Sequence, residues 1–109
     1  MPAYAVAHML EVSMGPAIAR YLRRIDATLE PFGGRFIVHG GDFQVVEGSW
    51  PGYLIVIEFP DRARADGWYT SPAYQEILAL RTGHSRSDII LIDGVDPGHR
   101  ATDVLGSQG

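Results

Sequence analysis

The chain has 109 residues and a mass of 11.9 kDa, which fits a single domain. It contains no cysteine, so the sequence excludes disulfides, thiolate metal sites and cysteine nucleophiles. The formal net charge of −4 argues against electrostatic binding to nucleic acid. No apolar run approaches the roughly 18 residues that a membrane span needs, and residues 1–4 lack a signal-peptide pattern. We therefore expect a folded domain that acts in the cytoplasm without nucleic-acid or membrane partners.

The first two elements are predicted to be a strand and an amphipathic helix. Residues 3–10 alternate in character as a half-buried strand does. A helix follows, with Pro16 at its first position. Its apolar stripe recurs every three or four residues and consists of Ile18, Leu22, Ile25 and Leu29. Pro31 and the glycine pair 33–34 end the helix.

Residues 35–48 hold two extended pieces whose connection the sequence leaves open. The pieces are 35–39 and 43–47, with Gly40-Gly41-Asp42 between them. They form either a tight hairpin or one long strand that kinks at a glycine bulge. We favour the kinked strand, because it leaves four strands in the whole domain.

The second half of the chain predicts a strand, a broken helix and a final strand. Residues 53–59 are almost continuously apolar, which is typical of a strand buried on both faces. Asp61 is a helix N-cap, and Ser71-Pro72 restarts the helix, so residues 62–70 and 72–82 are predicted as two segments. The last strand covers residues 88–93.

This order predicts an α+β, ferredoxin-like βαββαβ domain over residues 1–94, followed by a tail over 95–109. Two helices then cover one face of a four-stranded, mainly antiparallel sheet. The other face also carries apolar residues, including Leu54 and Val56. Monomers rarely leave such a face in water, so we predict a homodimer through it. Whether the tail wraps over the partner is left open.

Two side chains are candidates for proton transfer. His39 ends an apolar strand beside the predicted bulge, and Glu58 lies in the middle of the most apolar strand. The alternative interpretation is a partly exposed histidine and a structural ion pair between Glu58 and Arg35 or Arg81. The four histidines lack metal-ligand spacing, and phosphate and dinucleotide motifs are missing. We therefore predict no metal and no cofactor.

A candidate ligand-binding group surrounds the break in the second helix. Three aromatic residues lie there, and Arg81 follows about two turns later. One interpretation is a pocket in which Arg81 holds an anionic group. The other, which aromatic residues at such spacing favour, is a packed core. The aromatic residues are Trp68, Tyr69 and Tyr74.

Five short blocks follow one another along the chain: 33–38 (GGRFIV), 47–51 (EGSWP), 57–60 (IEFP), 68–74 (WYTSPAY) and Arg81. Together they resemble the family known as domain of unknown function 1330. The similarity spans about residues 3–94. It implies a ferredoxin-like fold of the dimeric α+β barrel type but no reaction. The broader superfamily includes cofactor-independent monooxygenases, dehydratases and muconolactone-isomerase-like enzymes, so an isomerase- or monooxygenase-like activity rests on fold analogy.

Two functions remain open from the sequence. The first is a homodimeric enzyme that uses acid–base chemistry on a small, partly apolar compound in a pocket between sheet and helices. The second is a non-catalytic module that binds a ligand or another protein. The sequence indicates neither the substrate nor the reaction. The two differ in whether His39, Glu58 and Arg81 meet in one cavity.

Overall fold

The computed structural model describes residues 1–108. They form an antiparallel four-stranded sheet in the order β2-β3-β1-β4. The predicted ferredoxin-like α+β fold is therefore confirmed. The elements are β1 (Ala3–Val12), α1 (Pro16–Leu29), β2 (Arg35–His39), β3 (Tyr53–Phe59), α2 (Arg62–Thr70), α3 (Pro72–Thr82) and β4 (Ser85–Asp93), with short 3₁₀ helices at Glu30–Phe32 and Ala101–Gln108.

Capping residues set the break between α2 and α3. The carboxylate of Asp61 accepts a hydrogen bond from the amide of Arg64 at 2.8 Å and begins α2. The hydroxyl of Ser71 donates to the carbonyl of Trp68 at 2.7 Å and accepts from the amide of Tyr74 at 3.2 Å. One side chain thus ends α2 and begins α3. The predicted two-segment helix is confirmed at its predicted bounds.

The helices cover one face of the sheet, which we call the inner face. Along β3, Ile57 and Phe59 point to this face and are buried, with 5% and 0% of their surface exposed. Alternation turns Leu54 and Val56 to the opposite, outer face, where both are half-buried. The apolar core lies between the inner face and the helices; its largest fully buried side chains are Leu29, Phe59, Tyr74 and Ile77.

A β-bulge in β2 decides which way His39 points. Phe36 pairs with Ile57 and His39 pairs with Ile55, so Ile37 is an extra residue in the ladder. Both pairing partners lie on the inner face. Without the extra residue, alternation would turn His39 to the outer face, so this bulge aims the imidazole toward the helices.

β1 contains a second bulge, at the same end of the sheet. Met9 pairs with Ser87 and Glu11 pairs with Arg86, which leaves Leu10 unpaired. β4 begins at Ser85, three residues before the prediction, because it pairs with the part of β1 beyond this bulge.

The prediction that 43–47 continues a strand is wrong within the single chain. β2 ends at His39, and residues 43–47 are neither a hairpin strand nor the far part of a kinked strand. The amide of Gly40 donates to the carbonyl of Leu54 at 2.9 Å. Gly40 then adopts a φ of 64°, and the chain leaves the ladder there. The kink is therefore real, but the chain beyond it has no neighbouring strand.

The predicted tail contains some helical structure. The 3₁₀ helix Ala101–Gln108 is interrupted at Gly106, and the side chains of Val104 and Leu105 are exposed. The last residue of the predicted tail, Gly109, lies outside the described residues. Across residues 1–108, no helix is long and apolar enough to cross a membrane.

Gly52 is expected to be essential for the fold, because β3 starts in close contact with β1. Its φ is 81°, and an added Cβ would overlap the carbonyl oxygen of Met9. We expect Gly52→Ala to lower the free energy of unfolding by at least about 2 kcal/mol in urea denaturation. Gly98 has open space around it, so Gly98→Ala is the control and should stay within about 0.5 kcal/mol of wild type. Equal stability of the two variants would contradict this account.

Candidate functional site

A cavity of about 80 Å³ lies between the inner face and the helices. It has room for several water molecules or a small organic group. Most of its wall is aliphatic and comes from β1, β3 and α1. The polar side chains that reach it are Tyr21, His39, Tyr74 and Arg81.

The cavity opens into a surface groove of about 510 Å³ at the end of the sheet where both bulges lie. Residues that line both spaces mark the mouth between them; they are Met9, Val12, Ile18, Leu22, His39 and Ile55. Tyr21, Tyr74, Trp68 and Arg81 line only the cavity and form its inner end. A ligand entering from the groove would pass His39 before it reached Arg81.

Arg81 is a buried charge that lacks an acidic partner. Only 7% of its surface is exposed, and its Nη1 donates to the hydroxyl of Ser87 at 2.9 Å. Its Nε is buried without a hydrogen-bond partner. Within residues 1–108, no carboxylate forms a salt bridge with it. A buried, unpaired donor on a cation is costly, so this position favours an anionic ligand.

Two phenols lie beside this guanidinium. The hydroxyls of Tyr21 and Tyr74 are 2.7 Å apart and share a hydrogen bond, and both side chains are buried. Burial raises the pKa of Tyr21 above its ordinary value, and Tyr74 adds to the shift while Arg81 opposes it. Burial alone would lower the pKa of Arg81, but Tyr74 and Tyr21 outweigh burial, so that pKa is raised. The inner end thus holds neutral Tyr21 beside a charged guanidinium.

Trp68 and Tyr74 form an aromatic wall of the cavity. Their ring centroids are 4.1 Å apart, and the indole Nε1 of Trp68 donates to the hydroxyl of buried Thr28 at 2.9 Å. Tyr69 contacts this pair, with its ring 5.5 Å from that of Tyr74, but it does not line the cavity. The aromatic group is therefore both core and wall, and the sequence alternatives were not exclusive.

His39 and Glu58, the two candidates for proton transfer, lie on opposite faces. His39 lines the mouth and stacks on Phe36, with ring centroids 4.2 Å apart. Glu58 follows Ile57 in β3, so alternation turns it to the outer face. There its Oε1 accepts from Nη2 of Arg35 at 2.9 Å. The expectation that Glu58 joins His39 and Arg81 is corrected, and the ion-pair alternative with Arg35 describes its position.

Tyr21 and Ser87 contribute to the site but were missed in the sequence. The apolar stripe predicted for α1 includes Leu22, whereas the buried residues of the helix include Ile18, Tyr21 and Ile25. These residues also recur at spacings of three and four, so the signal was present. The prediction places Leu22 in the stripe instead of Tyr21, because leucine is the more apolar of the two neighbours. Ser87 lies before the predicted start of the last strand and carried no signal.

Residues 1–108 contain no group of three histidine, aspartate or glutamate side chains arranged as metal ligands. The predicted absence of a metal and of a cofactor stays a prediction.

The raised pKa of Tyr21 predicts a loss of stability at alkaline pH. Below pH 10 the phenol is protonated in both folded and unfolded chains, so its contribution is fully present. Above pH 10 the unfolded phenol ionises and the buried one does not, so stability falls as pH rises, by roughly 1.4 kcal/mol at pH 11. We expect Tyr21→Phe to show a shallower decline in free energy of unfolding between pH 9 and 11. Parallel pH profiles for the two proteins would contradict the buried, neutral phenol.

Comparison with solved structures shows the same fold in proteins of low sequence identity. A protein of unknown function from Rhodopseudomonas palustris, RPA0582, has a TM-score of 0.66 at 19% identity, covering 88% of this chain and 84% of that one. A dimeric ferredoxin-like protein of unknown function from Jannaschia sp. CCS1 has a TM-score of 0.60 at 16% identity, covering 86% and 100%. SnoaB, a cofactor-independent oxygenase from Streptomyces nogalater, has a TM-score of 0.59 at 12% identity, covering 91% and 98%. These similarities concern the fold alone.

A search of curated proteins finds no match. The comparison with protein-family models matches residues 2–95 to the family described as Domain of unknown function (DUF1330). The match covers all seven helices and strands from β1 to β4, including every residue that lines the cavity. The chain therefore belongs to the DUF1330 family.

Proposed function

We propose that this protein binds a small, largely apolar monoanion in the cavity and acts on it by acid–base chemistry. The observation that carries the proposal is the buried guanidinium of Arg81, whose Nε has no partner. A single cation in an apolar cavity matches a single negative charge. The proposal assigns the anion to Arg81 and the apolar body of the ligand to the aliphatic wall and the mouth.

The surroundings of Arg81 strengthen its attraction for an anion. Ile25, Ile57 and the ring of Trp68 are buried and make the inner end apolar, and charge interactions are stronger in apolar surroundings. Of the two hydroxyl protons of Tyr21 and Tyr74, one is used between the phenols. The second can be donated to a ligand oxygen near Arg81. Together these donors would stabilise a carboxylate, a phenolate or an enolate.

We assign the proton-transfer role to His39. Imidazole is the side chain best suited to accept and return protons near neutral pH. At the mouth, His39 would take a proton from a carbon next to a ligand carbonyl and become imidazolium. This imidazolium offsets the new negative charge on the ligand, and the original anionic group stays on Arg81. Return of the proton to a different atom completes an isomerisation. In the oxygenation alternative, the same carbanion reduces dioxygen, a co-substrate, by two electrons, a C–O bond forms, and the peroxide oxygen takes the proton back from His39 to give a hydroperoxide. The fold similarity to the oxygenase SnoaB supports this alternative by analogy.

A second candidate function is ligand binding without catalysis. Among the hydrogen bonds and salt bridges of residues 1–108, none involves the side chain of His39. A catalytic base is usually oriented by another polar group. This observation favours a module in which Arg81 binds the anion and His39 only borders the entrance.

We further propose that the protein is a homodimer joined through the outer face of the sheet. On that face Ile90 and Ile92 expose 53% and 46% of their surface, and Leu54, Val56 and Val6 lie beside them. Burying such a patch against an identical copy removes it from water. The similarity to the dimeric protein from Jannaschia supports a dimer, and the exposed patch supports the outer face as the place of contact.

The binding proposal predicts a ligand whose effect depends on Arg81. A thermal-shift screen against small carboxylates, phenols and lactones should find a compound that stabilises the wild type. At about 100 times its dissociation constant, it should add roughly 2.7 kcal/mol. Arg81→Met keeps much of the side-chain volume and removes the charge, so it should abolish the shift. Arg35→Met is the matched control, because Arg35 lies on the outer face, and it should retain the shift.

Two results would contradict the proposal. One is a screen without a stabilising compound, and the other is a compound that stabilises folded Arg81→Met as well as wild type. His39→Gln separates the two functions once a ligand is found. If the protein is an enzyme, the wild type should convert the ligand, either under air in an oxygenation or without dioxygen in an isomerisation. His39→Gln should then bind the ligand without converting it. Binding by both proteins without conversion favours the non-catalytic module.

A further inference from the structure

We propose that residues 41–50, which we call the arm, lie against a second copy of this chain. The arm would extend the dimer interface beyond the outer face of the sheet. This inference rests on the proposed homodimer and adds the segment that secures it. Three features of the chain carry it: the state of the arm in a single chain, its position, and the size of the outer face.

The arm exposes apolar side chains and is unpaired in the single chain. Val46 exposes 85% of its surface, and Phe43 and Val45 expose nearly half of theirs. None of the amides of residues 41–50 donates a backbone hydrogen bond. The sequence of residues 43–47 is typical of a strand, yet it has no strand beside it. A second chain can supply both the apolar contact and the missing hydrogen bonds.

The arm stands on the same side as the proposed interface. Trp50 stacks on His8 of the outer face, with ring centroids 4.6 Å apart. Nε2 of His8 lies 2.6 Å from the carbonyl oxygen of Pro51, within hydrogen-bond distance. The arm and the sheet enclose an open groove of about 500 Å³ whose floor contains Val38 and Leu54. This groove is continuous with the apolar outer face, because Leu54 belongs to both.

The outer face by itself is small for a stable dimer. With four strands about 4.8 Å apart and a rise of about 3.3 Å per residue, a seven-residue strand such as β3 gives a flat footprint of roughly 450 Å². Stable complexes bury about 800 Å² of accessible surface on each partner. Side chains project from the sheet, so its accessible surface is larger than the flat footprint and the shortfall in area is smaller. The exposed arm supplies further apolar area directly beside the face.

The occupant that these features favour is an identical copy. A two-fold interface places the same patch of both copies in contact, so each arm would meet the partner at the margin of its outer face. Two arms per dimer would then enclose the sheets from opposite sides. The tail of the chain is the competing occupant, because Val104 and Leu105 are also exposed.

Analytical ultracentrifugation of three single variants tests the arm. Val46→Glu places a charge in the proposed contact and should raise the dimer dissociation constant at least tenfold. Val104→Glu is the matched control, since Val104 exposes 79% of its surface, and it should dimerise as wild type does. Ile90→Arg tests the outer face itself and should give monomers. Both valines are exposed, so circular dichroism should show unchanged folding.

The outcomes separate failure of the arm from failure of the homodimer. Dissociation by Ile90→Arg with wild-type affinity in Val46→Glu would overturn the arm and keep the homodimer. Dissociation by Val104→Glu and not by Val46→Glu would assign the contact to the tail and also overturn the arm. A monomeric wild type would overturn both the arm and the homodimer.

Hydrogen exchange gives a second measurement, in which the arm itself carries no substitution. In the single chain the amides of residues 43–47 have no backbone acceptor, so they should exchange rapidly at concentrations below the dissociation constant. At concentrations above the dissociation constant, exchange of these amides should slow at least tenfold, and Ile90→Arg should abolish this protection. Rapid exchange at concentrations where the wild type is dimeric would overturn the inference.

Discussion

The candidate site depends on one constraint: a positive charge enclosed in an apolar core without a negative partner. Arg81 lies on α3, its Nη1 is held by Ser87, and its own carbonyl accepts a hydrogen bond from Ser85. The start of β4 therefore fixes the guanidinium at the inner end of the cavity. Tyr21 and Tyr74 lie beside the charge; burial raises the pKa of Tyr21, so this phenol stays neutral and cannot balance the guanidinium. This imbalance distinguishes the cavity from an ordinary packing defect and points to an anion.

Strand register decides which polar groups share the cavity. In β3, alternation turns Ile57 inward and Glu58 outward, so this carboxylate is directed away from Arg81. In β2, one extra residue at Ile37 has the opposite effect and turns His39 inward. If β2 were regular, His39 would lie opposite Leu54 on the outer face and the cavity would lack an imidazole. The bulge thus decides which side chain of β2 borders the cavity.

The sequence predicted most of the fold, because its signals are local. The N-caps Asp61 and Ser71 and the prolines 16 and 72 gave helix starts that the structure confirms. The site was harder to predict, because it depends on pairing between distant residues. A shift at Ile37 has no sequence signature, and the missing partner of Arg81 is a property of three-dimensional packing. The strand prediction for residues 43–47 was wrong for a related reason. These residues have strand character, but in the single chain no strand lies beside them.

The central claim is that the unpaired Nε–H of Arg81 is the point at which an anion binds. Nuclear magnetic resonance of the nine arginine Nε–H groups tests this directly, with Arg81→Met to assign the signal. On titration with a small aromatic or aliphatic monocarboxylate, the account predicts a saturable shift of the Arg81 signal and slower exchange of its proton with water. The signals of exposed arginines such as Arg35 should stay in place. Saturable shifts confined to exposed arginines, with the Arg81 signal unchanged across a panel of such acids, would contradict the account.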